Sequence, residues 1–164
     1  MSRLKEFKFR WTDAWFHINR GYDSTLRILE NGDASIDVLV NKEPFEINLA
    51  GIEDSFIMDL EEIGIHEWDK KYYVCNDYFD GYMWWLSISY DDCQINARGD
   101  NGYPASFPRF LELLHAKYHL PKSKTELVIN LERFIEDTEI EDIDYLEKKL
   151  AELEAAMKGK GYET

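Results

Sequence analysis

The run from Trp84 to Arg98 constrains the fold most, because it reads as two strands that match each other residue for residue. Trp84, Leu86, Ile88 and Tyr90 alternate with Trp85, Ser87 and Ser89, the period of two carried by a strand with one buried face. A two-residue loop at Asp91-Asp92 pairs Tyr90 with Cys93, Ile88 with Ile95 and Leu86 with Ala97, so every apolar side chain falls on one face. The other face then carries Trp85, Ser87, Ser89, Gln94, Asn96 and Arg98, with Trp85 directly across from Arg98.

The amino-terminal third repeats this logic. Phe7, Phe9 and Trp11 alternate with Lys8 and Arg10, and Ala14, Phe16 and Ile18 alternate with Trp15 and His17. A turn at Thr12-Asp13 would set Phe9 against Phe16 and Phe7 against Ile18, leaving Lys8, Arg10, Trp15 and His17 as a small basic and aromatic patch. Gly21 to Ser24 reads as a loop. Asn31-Gly32-Asp33 is predicted as a three-residue loop pairing Ile28 with Ile36 and Leu26 with Val38, and Asn41-Lys42 as a turn pairing Val38 with Phe45 and Ile36 with Ile47. The expected result is an antiparallel meander.

Helical spacing begins near Gly51. Ile52, Phe56, Leu60 and Ile63 recur along one face, with Gly64 placed to end the helix in a left-handed cap. Ser106 opens a second helix carrying Phe107, Phe110, Leu111, Leu114 and Tyr118. Pro121 ends it. Ser123 with Glu126 forms a capping box for a further helix bearing Leu127, Leu131, Phe134 and Ile135, and Thr138 with Glu141 forms one for the last helix. There Ile143, Leu146, Leu150, Leu153 and Met157 alternate at three and four, a seam too short to stand alone. It is expected to dock on the preceding helix or to make a homodimer through Ile143, Leu146, Leu150 and Leu153. The fold class read from these patterns is α+β, an antiparallel meander sheet packed by helices with a carboxy-terminal helical hairpin. The expected division is an α+β domain over 1–120 and a helical appendage over 121–164.

Charge narrows the partners. The net charge is −14, against the basic footprint needed to bind nucleic acid or an anionic membrane directly. No apolar run reaches the ~20 residues of a membrane span, and the first residues lack the apolar core of a signal peptide, so a cytoplasmic location is expected. Cys75 and Cys93 fit no metal or redox spacing and are expected to be free, buried thiols.

Catalytic chemistry is hard to place. Glu112, His115 and His119 share a helical side but lack the order of a zinc hydrolase, and are read as exposed or capping residues rather than metal ligands. No serine sits in a nucleophile elbow, no Cys-His signature appears, and the loop Gly99 to Gly102 lacks the Lys-Ser/Thr pair of a phosphate cradle. No catalytic residue, cofactor or metal is expected. The most charged stretch holds Glu132, Glu136, Asp137, Glu139, Glu141, Asp142, Asp144 and Glu147 against Arg133 alone. It reads either as a solvated, well-capped helix start or as a surface imitating a phosphate backbone.

The central region resembles a small bacterial and phage domain of unassigned function. The resemblance rests on Trp68, Tyr72, Asp80-Gly81, Trp84 or Trp85, and the run Gly99-Asp100-Asn101-Gly102-Tyr103-Pro104-Ala105-Ser106-Phe107, and covers roughly 5–117. It departs at the turn Asp91-Asp92-Cys93 and says nothing of the chain beyond Pro121. It implies a fold and a bacterial or phage origin, and no active residue. With the charge it leads to an expected non-enzymatic interaction protein, an inhibitor that occupies a basic nucleic-acid-binding protein through Glu132, Glu136, Glu139, Asp142 and Asp144. The alternatives are a small ligand-binding or enzymatic domain using Trp85 and Arg98, and an immunity protein or antitoxin.

Overall fold

The computed structural model describes residues 3–13, 21–29, 31–74, 82–140 and 150–157. In chain order they form β1 (Leu4–Asp13), β2 (Tyr22–Ile28), β3 (Ala34–Val40), β4 (Glu43–Asn48), α1 (Glu53–Ile63), a 3-10 turn (Ile65–Glu67), β5 (Lys71–Val74), β6 (Tyr82–Tyr90), β7 (Gln94–Asp100), α2 (Phe107–Ala116), α3 (Lys124–Val128), α4 (Leu131–Glu136) and β8 (Thr138–Ile140). One eight-stranded sheet results, in the order β4-β3-β2-β1-β6-β7-β5-β8. The class is α+β. The sheet is not a pure meander, because β1 pairs with β6 and β5 runs parallel to β7.

The β6–β7 hairpin has the register its alternation dictates. Leu86 faces Ala97, Ile88 faces Ile95 and Trp85 faces Arg98, while the Tyr90 N–H donates to the Cys93 carbonyl at 2.8 Å. The turn between β3 and β4 also stands where expected. Asn41 and Lys42 adopt φ of 53° and 70°, the left-handed pair that matches strand twist, and Val38 meets Phe45. α1 ends in Gly64 at φ 88°.

Four expectations change. The turn at Thr12-Asp13 is absent, because β1 continues and pairs Thr12 with Met83 and Asp13 with Tyr82. The expected partners 14–18, with Trp15 and His17, lie outside the described residues. Tyr22 to Ser24 is strand rather than loop. The β2–β3 register is two residues tighter than expected, with Leu26 facing Ile36 and Ile28 facing Ala34. Here Asn31 Oδ1 accepts from the Asp33 N–H, and the Leu29 N–H donates to the Asp33 carbonyl, so the pairing runs on to Leu29 and Asp33 and the loop sits one position earlier than expected. A shift of two keeps every side chain on its face, so apolar matching could not detect it.

The carboxy-terminal helical hairpin is the fourth. The Ser123–Glu126 capping box is present, but α3 stops after five residues and leaves Leu127 70% exposed. Ile129 is extended and Asn130 caps α4, whose Leu131, Phe134 and Ile135 pack against the core. Thr138 opens a strand rather than a helix. Its hydroxyl accepts from the Tyr103 N–H and donates to the Phe134 carbonyl, and β8 closes the sheet edge beside β5.

The core lies between the sheet and the first two helices. Phe7, Phe9 and Trp11 of β1, Trp84, Leu86 and Ile88 of β6, Phe56 and Leu60 of α1, and Phe107 and Phe110 of α2 are buried together. Aromatic rings dominate it. Trp84 packs tilted on Phe107 at 5.1 Å, Trp11 meets Phe107 edge-on at 5.3 Å, and the buried Trp84 Nε1 donates to the Gly102 carbonyl at 2.8 Å, satisfying the polar handle that makes tryptophan costly to bury. A Cβ on Gly99 would stand 2.1 Å from Trp84 Nε1, and one on Gly102 would stand 2.4 Å from the Tyr73 nitrogen. Both glycines in the run Gly99 to Gly102 therefore serve close packing.

Candidate functional site

Cross-strand register assembles the most distinctive polar surface. On the face away from α1 and α2, Asp23 of β2 stands beside Arg10 of β1, Arg10 beside Trp85 of β6, Trp85 beside Arg98 of β7, and Arg98 beside Lys71 of β5. The row runs perpendicular to the strands, so neighbours are about 4.8 Å apart at the backbone. Lys8 lies two residues from Arg10 on the same face, opposite Ser87. Lys8, Arg10 and Arg98 are exposed and Trp85 is half-buried among them.

Their lack of ion pairs sets these cations apart from some others in the molecule. Elsewhere on the same face Arg27 reaches Asp37 and Glu46, and on other surfaces Lys117 reaches Asp59 and Lys5 reaches Asp91. Among the described residues the side chains of Lys8, Arg10 and Arg98 make no ion pair or hydrogen bond.

A groove of about 440 Å³ opens beside this row, lined by Lys8, Arg10, Asp23, Thr25, Trp85 and Ser87. Its cause is local. The β1–β2 ladder pairs only Arg10 with Asp23 and Trp11 with Tyr22. At the next position the Ser24 hydroxyl accepts from the Phe9 N–H at 2.7 Å and donates to the Phe9 carbonyl at 3.1 Å. A side chain thus takes over the bonds that a backbone ladder would make, so both buried groups are satisfied while the strands part.

Of the residues expected to carry function, Trp85 and Arg98 stand together as foreseen. Lys8 and Arg10, expected to form a separate patch with Trp15 and His17, join Trp85 instead. That union depends on β1 pairing with β6, across more than seventy residues, and no local pattern announces it. Asp23, Ser24 and Thr25 went unrecognised because Gly21 reads as loop; a serine between tyrosine and leucine at strand spacing was the available signal.

The acidic residues are dispersed. Glu132 and Glu136 are exposed on α4, whereas Glu139 is exposed on β8 and not on the same helix. Asp142 and Asp144 lie outside the described residues, as do Ile143 and Leu146 of the expected dimer seam. Leu150 and Leu153 are 59% and 60% exposed in a helical stretch over 150–157. Cys93, expected buried, is exposed at the hairpin end.

His115 is committed elsewhere than to a metal. Its Nδ1 donates to the Leu120 carbonyl at 2.9 Å, and its Nε2 lies 2.7 Å from Glu126 Oε2. Because a carbonyl only accepts, Nδ1 carries a hydrogen, so the contact with Glu126 holds one shared proton. Glu126 Oε1 also receives the Ser123 N–H and the Tyr22 hydroxyl. Burial pushes the Glu126 carboxyl up to about 7, against the opposing pull of the Ser123 N–H. His119 is exposed at φ 60° beyond the helix end. Among the described residues no group of three or more His, Cys, Asp or Glu is placed to hold a metal ion, and no helix is long and apolar enough to cross a membrane. Comparison with family models, with curated proteins and with solved structures found no match to this chain.

Proposed function

We propose that the protein acts by binding rather than by catalysis, and that its working surface is the open sheet face where Arg10, Trp85 and Arg98 stand in one row. The partner is anionic. One observation carries this reading: Lys8, Arg10 and Arg98, which have no acidic partner among the described residues, are gathered on one sheet face with Trp85 in a chain with 33 Asp and Glu against 19 Lys and Arg. Among the described residues unpaired cations also stand singly elsewhere, at Lys42 and Arg109 among others, but three gathered on one face around an indole create a local positive potential that the total charge conceals.

The test exploits that contrast. At about 0.1 M salt the Debye length is about 10 Å, so remote acids are screened while a contacted patch still acts. A protein of pI 4.6 should then be retained on phosphocellulose at neutral pH, and the double variant Arg10→Ala with Arg98→Ala should flow through. A wild-type protein that flows through under these conditions removes the proposal.

A second reading keeps the acidic surface as the partner-facing one, favoured by the exposure of Glu132 and Glu136 on α4. In that case the protein occupies a basic groove, as an inhibitor of a nucleic-acid-binding protein would. Reversing Glu132 and Glu136 to lysine then slows association steeply and in a salt-dependent manner, whereas Arg10→Ala leaves it unchanged.

A further inference from the structure

The groove beside the cationic row has a more specific chemistry than its charge. Resting on the reading of the open face as an anion-binding surface, we infer that the groove between β1, β2 and β6 binds a mononucleotide-class ligand: a phosphate monoester attached to a planar aromatic ring. Three features set the class.

The first is donor density. Lys8 and Arg10 project from the same face of β1 about 7 Å apart, and their side chains together offer eight N–H donors. A single carboxylate would leave most of them unused. A phosphate monoester carries about −1.5 to −2 charges and three terminal oxygens, and it matches two adjacent cations in both charge and acceptor number.

The second is the wall. Trp85 lines the groove directly opposite Arg10 in the register, so a ligand whose phosphate meets Arg10 carries its body against the indole. Stacking of a base on an aromatic side chain tolerates any base. Asp23 stands on the far bank, where its carboxylate accepts from a sugar hydroxyl or a ring amine, and the Thr25 hydroxyl adds a donor and acceptor, while the Ser87 hydroxyl, which donates toward Glu6 and Asn96, can only accept. Ser24 is spent on the Phe9 backbone and takes no part. The volume falls within the ~300–1,000 Å³ typical of small-molecule sites.

The third is enclosure by charge, which separates a mononucleotide from a polymer. Glu6 lies two residues before Lys8 on β1, Asp23 borders Arg10 across the sheet, and Asp100 lies two residues beyond Arg98 on β7. A long polyanion laid along β1, across β2 or along β7 would meet a carboxylate, although toward Lys71 the row stays cationic. A ligand with one phosphate would not.

The experiment is a titration followed by calorimetry and by indole fluorescence, using adenosine 5′-monophosphate and guanosine 5′-monophosphate as probes. Ribose 5-phosphate, adenosine and single-stranded oligonucleotides of increasing length serve as comparators. Saturable binding of the nucleotides is expected, with ribose 5-phosphate weaker by about 5- to 100-fold, the range that stacking supplies. Trp85→Phe should retain binding and Trp85→Ala lose it by a similar factor, while Lys8→Ala with Arg10→Ala should weaken it at least about tenfold. All these positions face outward, and circular dichroism checks that each variant is folded.

Ribose 5-phosphate binding as tightly as the nucleotides overturns the inference, because the ring then contributes nothing. So does an affinity that climbs with oligonucleotide length, which would make the face a polymer platform. Absence of nucleotide binding at about 1 mM, a binding free energy near −4 kcal/mol, overturns it too. If phosphocellulose retention persists in that last case, the anion-binding face stands without this ligand. If retention is also lost, both readings fall.

Discussion

Trp84 and Trp85 are neighbours in sequence and opposites in role. Trp84 faces the helices, fully buried, with its indole N–H bonded to the Gly102 carbonyl and its ring against Phe107 and Trp68. Trp85 faces away from them, half-buried, between Arg10 and Arg98. One strand therefore divides the molecule into a face packed into the core and a face turned away from the helices. The largest test of that division is a pair of truncations. Trp84→Ala should destabilise by about 3–5 kcal/mol, since transfer and packing energy are lost together. Trp85→Ala, at a half-buried position, should cost clearly less. Chemical denaturation that ranked them the other way would invert the two faces.

The glycines behind Trp84 sharpen the same contrast. A methyl on Gly102 meets backbone atoms of Tyr72 and Tyr73 at 2.4–2.8 Å, which can move only by parting β5 from the loop that follows β7. Gly102→Ala should cost about 1–3 kcal/mol, the usual penalty of overpacking a filled site. Gly51→Ala provides the control, because nothing lies within 4 Å of its Cβ position, although its φ of +74° adds backbone strain. A loss at Gly102 no larger than that at Gly51 would mean that β5 and the loop part at little cost, because Gly102 itself is not at a positive φ.

How much of this was legible follows from which contacts are local. The β6–β7 hairpin, the Asn41-Lys42 turn, the Gly64 cap and the Ser123 capping box each depend on residues within a few positions of one another, and the pattern places all of them. The β1–β6 pairing depends on residues more than seventy apart, so the sequence offered Lys8 with Arg10 and Trp85 with Arg98 as two patches instead of one. Thr138 to Ile140 failed for another reason. Three residues are too few to show a strand period, and a threonine three before a glutamate looks like a helix start. The groove at Ser24 was invisible, because strand splay leaves no periodicity.

The His115–Glu126 contact ties the core side of the sheet to the segment beyond Pro121, and it predicts a pH dependence. Folding raises the Glu126 carboxyl from its ordinary 4.5 to about 7 through burial, so the folded state holds that proton more tightly than the unfolded chain. The stabilisation is complete below about pH 4.5 and fades as pH rises through 7. The expected loss is about 1–3 kcal/mol between pH 5 and 9, or about 2–4 °C of melting temperature per kcal/mol in a chain of this size. Glu126→Gln keeps a donor for His115 and an acceptor for Ser123 and Tyr22, and should flatten the wild-type slope. Parallel slopes in both proteins would assign the pH response to the excess of surface acids.

The smallest expected effect is the one that most directly tests whether the open face is free of structural duty. Arg10 and Arg98 flank Trp85 from adjacent strands, so their backbones lie about 10 Å apart. In water two like charges at that distance repel by about 0.4 kcal/mol, and salt screens most of it. Neither side chain has an ion pair or hydrogen bond to lose among the described residues. Arg10→Ala with Arg98→Ala should therefore change stability by no more than about 0.5 kcal/mol, and the sign at low salt should favour the variant. Thermal melts at low and at moderate salt measure both quantities. A loss above about 1 kcal/mol would mean that the guanidinium groups hold the sheet together through their packed stems, and the cationic row would then belong to the fold, as Trp84 does.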